Sequence, residues 1–385
     1  MKKMLLALIP ALLICAGCAT APKAAACPKK IVSCTVKKIK TGFYIDKGAR
    51  GGGVLQLARL LHHSPQIDMV LLKGEDLRKG KLKGLDMVVM PGGSSQLEME
   101  SMGPAGVKAL QDFVRNGGAY VGICAGFHIT LNRPERAQLF PYTYIREAVG
   151  ARGDVQIDLN KEGAKLLGVK PGKRMVRYSR GPIAKAAQWS KGSCKTYAHY
   201  TSSLSPLGRA GVSFFGTPAL IGGTYGKGKV IATSFHPEYM LSTHELFVGC
   251  VYAVTGIKIT PKLPVAQYRP LRVLYCVGAV LDGHAQSIKE FTALESCPEL
   301  AVKPGLNKDL LLETDLLIMP NGPDAWGKGL IKNGWIKILK EFMDRGGKII
   351  AVGDAWKTIP DHKNMTRLST KDCMVKAAVK IASGR

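Results

Sequence analysis

The sequence predicts an α/β protein: a doubly wound, mostly parallel sheet followed by a second, partial α/β copy. Two short apolar runs, "IDMVLL" and "LDMVVMPGG", have the unbroken hydrophobicity of strands buried on both faces. Helical patterns lie between such runs, as in "AGVKALQDFVRNGG", with apolar residues at Val107, Leu110, Phe113 and Val114. Strand alternating with helix is the grammar of a parallel sheet. A shift of 229 positions then lays "LDMVVMPGG" on "TDLLIMPNG" and "FVRNGGAYVGICAG" on "FMDRGGKIIAVGDA" without a gap. Duplication and convergence on a common strand-turn-helix pattern both produce such matches, and the constant offset favours duplication.

Taken in order, residues 1–17 join two lysines to an apolar stretch from Met4 to Ile14 and then to small residues. This is a signal-peptide pattern, too short for a membrane span. Cys18 at its end is the expected lipidation site, although Cys15 stands where a leucine is usual. The alternative is an ordinary secreted protein cleaved nearby. The expectation is secretion across the inner membrane, with the lipid anchor holding the protein in the periplasm or at the cell surface. Residues 18–38, rich in Ala, Pro and Lys, read as the lipid-anchored linker. A complete α/β domain is expected at 39–258, and a truncated α/β repeat at 271–385. The proline-bearing stretch "TPKLPVAQYRP" separates them.

The formal net charge of +27 falls to +25 when Lys2 and Lys3 leave with the leader. So basic a chain favours anionic neighbours: lipid head groups, wall polymers or nucleic acid. Its lysines are scattered, and no module with interleaved aromatics occurs, so no nucleic-acid partner is expected and the charge reads as a solvated face. Once Cys15 is gone, no C-x-x-C pair remains among the cysteines. No zinc site, and no other metal or cofactor, is expected. Cys27 and Cys34 can close a small loop in an oxidising compartment.

The chemistry concentrates at "YVGICAG", where Gly122, Cys124 and Gly126 form a G-x-C-x-G. A nucleophile on a sharp strand-to-helix turn needs a small residue on each side, because backbone comes close there. That turn sets the sulfur at a helix start, where the thiolate is favoured. A buried structural cysteine is the other reading of the same residues. Downstream, "GKGKVIATSFHPEYM" supplies a strand and then His236, Pro237 and Glu238. On an extended segment residues two apart point the same way, which suits a base and the carboxylate that orients it.

The elbow and His-Pro-Glu together resemble the class I glutamine amidotransferase superfamily, whose sheet is flavodoxin-like. More narrowly, "VVMPGG", "VRNGGAYVGICAG", "RYSRGP" and "FHPE" are similar to the biotin-protein ligase N-terminal domain, over roughly residues 39 to 256. The resemblance implies Cys124 as nucleophile, His236 as base and Glu238 as orienting carboxylate. It implies an oxyanion hole from the N–H groups of Gly93 and Ala125, with Gly92, His128, Tyr178 and Gly181 near the substrate. His128 stands where the family's glutaminases usually carry glutamine. The nucleotide-binding region that biotinylation needs is missing, so ligase activity is not implied.

Three other features carry less. His62 and His63 close a helix and read as capping or surface residues. Cys194 and His199 form a conceivable second Cys-His pair without an elbow, and Asp354, beside the residue aligned with Cys124, reads as a helix cap. The sequence leads to an extracytoplasmic thiol-dependent amidase or hydrolase acting through an acyl-enzyme on an unknown small-molecule amide or peptide. The alternative is a non-catalytic ligand-binding surface lipoprotein of the same fold. The related intracellular-protease and Parkinson-protein superfamily also uses a cysteine elbow, but His-Pro-Glu favours the amidotransferase side.

Overall fold

The computed structural model describes residues 38–147, 151–186, 193–202, 215–264, 270–276, 284–321, 334–353, 357, 359–369 and 374–384. The leader, Cys18, Cys27, Cys34 and Asp354 lie outside them. Among the described residues no helix is long and apolar enough to cross a membrane.

The chain opens with β1 (Ile39–Tyr44), α1 (Gly52–His62), β2 (Ile67–Leu72), the short α2 (Gly74–Arg78), β3 (Met87–Met90), α3 (Ser95–Arg115) and β4 (Ala119–Ile123). Every residue of β3 and β4 is buried, which is why these strands read as continuous apolar runs. Pro104, which has no N–H to donate, and Gly103 with φ 61° break α3 in its middle. Next come α4 (Ala125–Thr130), β5 (Tyr142–Glu147), β6 (Arg152–Leu159), α5 (Lys161–Leu167), β7 (Gly172–Ser179), β8 (Pro182–Ala186) and β9 (Cys194–Tyr200). The first half closes with β10 (Pro218–Tyr225), β11 (Gly228–Thr233) and α6 (His244–Thr255).

Nine of these strands form one sheet in the order β2-β1-β3-β4-β11-β10-β9-β6-β7. The first five are mutually parallel, and the last four continue the sheet antiparallel. β6 and β7 alternate between buried and accessible residues, as strands with one wet face do. This antiparallel end curls back on the centre: Arg177 of β7 forms a bridge with His236, just past β11.

The second sheet contains β12 (Leu271–Tyr275), β13 (Leu300–Pro304), β14 (Leu316–Met319), β15 (Lys348–Val352) and β16 (Met365–Leu368). Its order, β13-β12-β14-β15-β16, repeats β2-β1-β3-β4-β11, and all its pairings are parallel. The helices of this half are α7 (His284–Glu295), α8 (Lys308–Leu312), α9 (Trp335–Asp344) and α10 (Met374–Ser383). β3 and β4 fall on β14 and β15 at the offset of 229. The two copies also share side-chain devices. The Asp86 carboxylate accepts from the Lys40 N–H at 2.8 Å, and that of Asp315 from the Arg272 N–H at 2.9 Å. Phe113 lies flat on Gly118, and Phe342 lies flat on Gly347. Parallel pairings dominate across the two sheets, and the expected doubly wound architecture with its partial second copy is present.

α1 packs on α7 and β13, so the copies share an apolar seam. Within it Glu295 pairs with Arg59 and lies 3.4 Å from Nε2 of His63. Burial pushes the Glu295 carboxyl up to about 7 against the pull of Arg59. Burial, helped by His62 and Arg59, pushes His63 down to about 4, so at neutral pH its contact with Glu295 is not an ion pair. His63 is the C-cap of α1, its N–H donating to the Arg59 carbonyl at 3.1 Å, and His62 is exposed, as the sequence leads one to expect; the His63 side chain in addition reaches the seam.

Candidate active site

Cys124 occupies the turn between β4 and α4 with φ 52° and ψ −97°. A non-glycine residue in that region is strained, and such strain persists only where the surroundings impose it. They do so here on three sides. The Cys124 N–H donates to the Thr233 carbonyl of β11 at 2.8 Å. A Cβ on Gly122 would come within 2.7 Å of the Gly126 backbone, and one on Gly126 would collide with the Met90 carbonyl. The small flanking residues of G-x-C-x-G are thus required by close backbone approach.

β11 runs beside β4 and delivers the histidine. The His236 N–H donates to the Arg177 carbonyl at 2.8 Å, which fixes the segment. Nδ1 of His236 lies 2.7 Å from Oε1 of Glu238, and Cys124 is close enough to act on the charge of the ring. The Cys124 thiol donates to the Ser179 carbonyl at 3.6 Å. His236 is 6% exposed and Glu238 fully buried. Burial works against charge on the His236 ring, but Glu238 and Cys124 outweigh it and hold the imidazole well above its ordinary value. Two glycines make room for this arrangement. A Cβ on Gly92 would sit 2.6 Å from Cε1 of His236, and one on Gly53, in the first turn of α1, would strike Glu238.

A cavity of about 640 Å³ opens over these groups, and Cys124, His236, Gly93, His128, Tyr239 and Ser179 are among its walls. Gly93, with φ 155°, is bridged to Ala49, and Ala125 is the buried first residue of α4. Burial and the nearby Arg136 and Arg133 push His128 down to about 3, so it is neutral at physiological pH. The Tyr239 ring meets His236 edge to face at 5.3 Å, and its hydroxyl accepts from the Gly53 N–H at 3.0 Å. Tyr239 was not singled out in the sequence, although it directly follows His-Pro-Glu.

Two residues expected near the substrate face the interior instead. Tyr178 is fully buried, stacks edge to face on Tyr200 and donates to the Gly181 carbonyl at 2.7 Å. Gly181 presses against the Ser234 carbonyl, leaving no space for a side chain. Strand alternation explains the error: with Tyr178 inward, its neighbour Ser179 turns to the cavity. Cys194 and His199 sit near opposite ends of β9, roughly 16 Å apart at the usual rise, so they form no pair. Burial pushes the Cys194 thiol up to about 12. Among the described residues no cluster of His, Cys, Asp and Glu could hold a metal ion.

One buried acid escaped the sequence reading. Glu98, in the first turns of α3, is fully buried and neither carboxyl oxygen has a hydrogen-bond partner. Burial, then Cys124, raises its carboxyl well above the carboxylate range despite Arg136 and Arg50.

Residues 56–135 match the family model described as biotin-protein ligase, N terminal. That span contains the elbow and stops short of His236 and Glu238. No curated protein matches the chain in sequence. Among solved structures, a ThuA-like protein from Parabacteroides merdae is similar, with 15% identity and a TM-score of 0.43 over 59% of this chain and 94% of its own. A ThuA-like protein from Bacteroides uniformis has 16% identity and a TM-score of 0.43, over 62% of this chain and 98% of its own. A glutamine amidotransferase has 20% identity and a TM-score of 0.40, over 56% and 99%.

Proposed function

We propose that the chain is a thiol-dependent amidase or related hydrolase working through an acyl-enzyme. The observation that carries the reading is the strained Cys124, sharing one cavity with a His236 whose Nδ1 is held by buried Glu238. Glu238 fixes the tautomer, so the other ring nitrogen faces the sulfur and takes its proton. The thiolate attacks the amide carbonyl, and the N–H groups of Gly93 and Ala125 receive the charge that develops on oxygen. As the C–N bond breaks, His236 returns the proton to the departing amine, leaving a thioester. His236 then takes a proton from water, hydroxide displaces the sulfur, and a carboxylic acid leaves. The leader-like residues 1–17 place this activity outside the cytoplasm in our reading, anchored through Cys18. Palmitate labelling that persists in Cys18→Ser would remove the anchor.

The catalytic reading is tested by the rate at which iodoacetamide alkylates Cys124 between pH 5 and 9, in wild type and His236→Ala. An ordinary thiol is only about 3% ionised at pH 7. Wild type is expected to react near its plateau rate there, and the variant about thirtyfold more slowly. Equal rates would overturn the mechanism and leave a ligand-binding pocket on the same fold.

A further inference from the structure

The walls of the Cys124 cavity include five arginines: Arg50, Arg133, Arg136, Arg152 and Arg180. No Asp or Glu is among them. The five come from separate parts of the chain. Arg50 follows β1, Arg133 and Arg136 follow α4, Arg152 starts β6 and Arg180 follows β7. No local charge run accounts for them. Arg152 and Arg180 reach the cavity from the antiparallel end of the sheet, which curls back on the centre.

Glu135 lies 3.1 Å from Nε of Arg133 and 3.9 Å from Nε of Arg136, but its side chain is 53% exposed, where such pairs are weak. Arg50, Arg152 and Arg180 form no salt bridge among the described residues. Nε of Arg50 is buried without a hydrogen-bond partner. Burial pushes Glu98, the acid close by, toward its neutral form. Arg180 is kept at the rim by a backbone that costs energy, φ 61° in a non-glycine residue. Its N–H donates to the Ala151 carbonyl at 3.2 Å, which ties it beside Arg152.

We infer that this cavity selects an acyl donor carrying an oxyanion group, a carboxylate or phosphate, which the arginines hold while Cys124 meets the amide carbonyl. The inference rests on the amidase reading and names the substrate class for it. Guanidinium groups bind oxyanions in paired, planar geometry, and a recessed site ringed by one sign of charge concentrates ligands of the other. Neutral amides of the same size lack that hold.

Two alkylating reagents of the same chemistry separate the claims: iodoacetate, which is anionic, and iodoacetamide, which is neutral. The ratio of their rates at Cys124 is expected to exceed that of a free small thiol by at least about tenfold, within the range electrostatic focusing gives. It should fall toward the free-thiol ratio in Arg152→Gln/Arg180→Gln and in high salt. The iodoacetamide rate of the same variant reports whether the elbow survives. Fast iodoacetamide with a free-thiol ratio would overturn this inference and leave the amidase reading standing. If both reagents are slow, the amidase reading fails. What is left to test is oxyanion binding by the arginines, read as the thermal midpoint in millimolar glutarate or inorganic phosphate: a rise lost in the double variant supports that binding, and no rise overturns it too. Which of the two anions protects wild-type Cys124 from iodoacetamide distinguishes carboxylate from phosphate.

Discussion

The two copies of the α/β unit place different residues, both at positive φ, just past the corresponding strand. β4 ends at Ile123 and turns through Cys124 at φ 52°, whereas β15 ends at Val352 and turns through Gly353 at φ 76°. Strand order, the aspartate that accepts from the neighbouring strand and the phenylalanine lying on glycine are common to both. Positive φ at this position is therefore common to both copies, and glycine takes it at little cost. A cysteine there costs on the order of 1 kcal/mol. The first copy tolerates that cost where it also brings His236 and Glu238 together. At the same offset, Glu98 corresponds to Gly327 and Gly126 to Ala355, so the second copy lacks the buried acid and the second elbow glycine as well.

The largest expected effect tests whether the first elbow is sterically tighter than the second. Gly126→Ala imports the second copy's residue and drives a Cβ into the Met90 carbonyl. The expected loss is about 3 kcal/mol in denaturant unfolding. An unchanged midpoint would break the claim of tightness.

A smaller effect isolates the buried acid. The Glu98 carboxyl is raised, so between its ordinary 4.5 and its folded value the folded chain keeps a proton that the unfolded chain has released. Its contribution to stability is complete below 4.5 and declines as pH rises through the folded value. Glu98→Gln removes that decline, with an expected gain of about 2 kcal/mol at neutral pH. Stability curves that stay parallel from pH 4 to 8 would mean that Glu98 does not titrate in this way.

The smallest effect measures the turn itself. Cys124→Gly is expected to be more stable than Cys124→Ala by about 1 kcal/mol, because only glycine relaxes at φ 52°. Alanine equal to glycine would mean that the turn carries no strain.

What the sequence revealed was short in range. The runs at β3 and β14 are visible because strands buried on both faces have no alternation to hide them. The elbow and His-Pro-Glu were legible because each is a contiguous motif whose spacing encodes its own geometry. The arginine ring was not, since its members are up to 130 positions apart in the chain. Glu98 looked like one more polar residue of a helix, and nothing local announces that its turn lies beneath the cavity floor. The capping role of His63 was legible, but its contact with Glu295 was not, because that partner belongs to the other copy.

The order in which the chain visits the cavity separates two inheritances. Cys124 and His236 leave neighbouring strands, β4 and β11, yet the chain makes its whole antiparallel excursion between them. Four of the five arginines belong to that excursion. Cys124 and His236 are held by the parallel scaffold, while the arginines, to which we assign the choice of substrate, ride mostly on an interposed cassette. Exchange of residues 133–227 between homologues is a route by which such a protein changes its diet without relearning its chemistry.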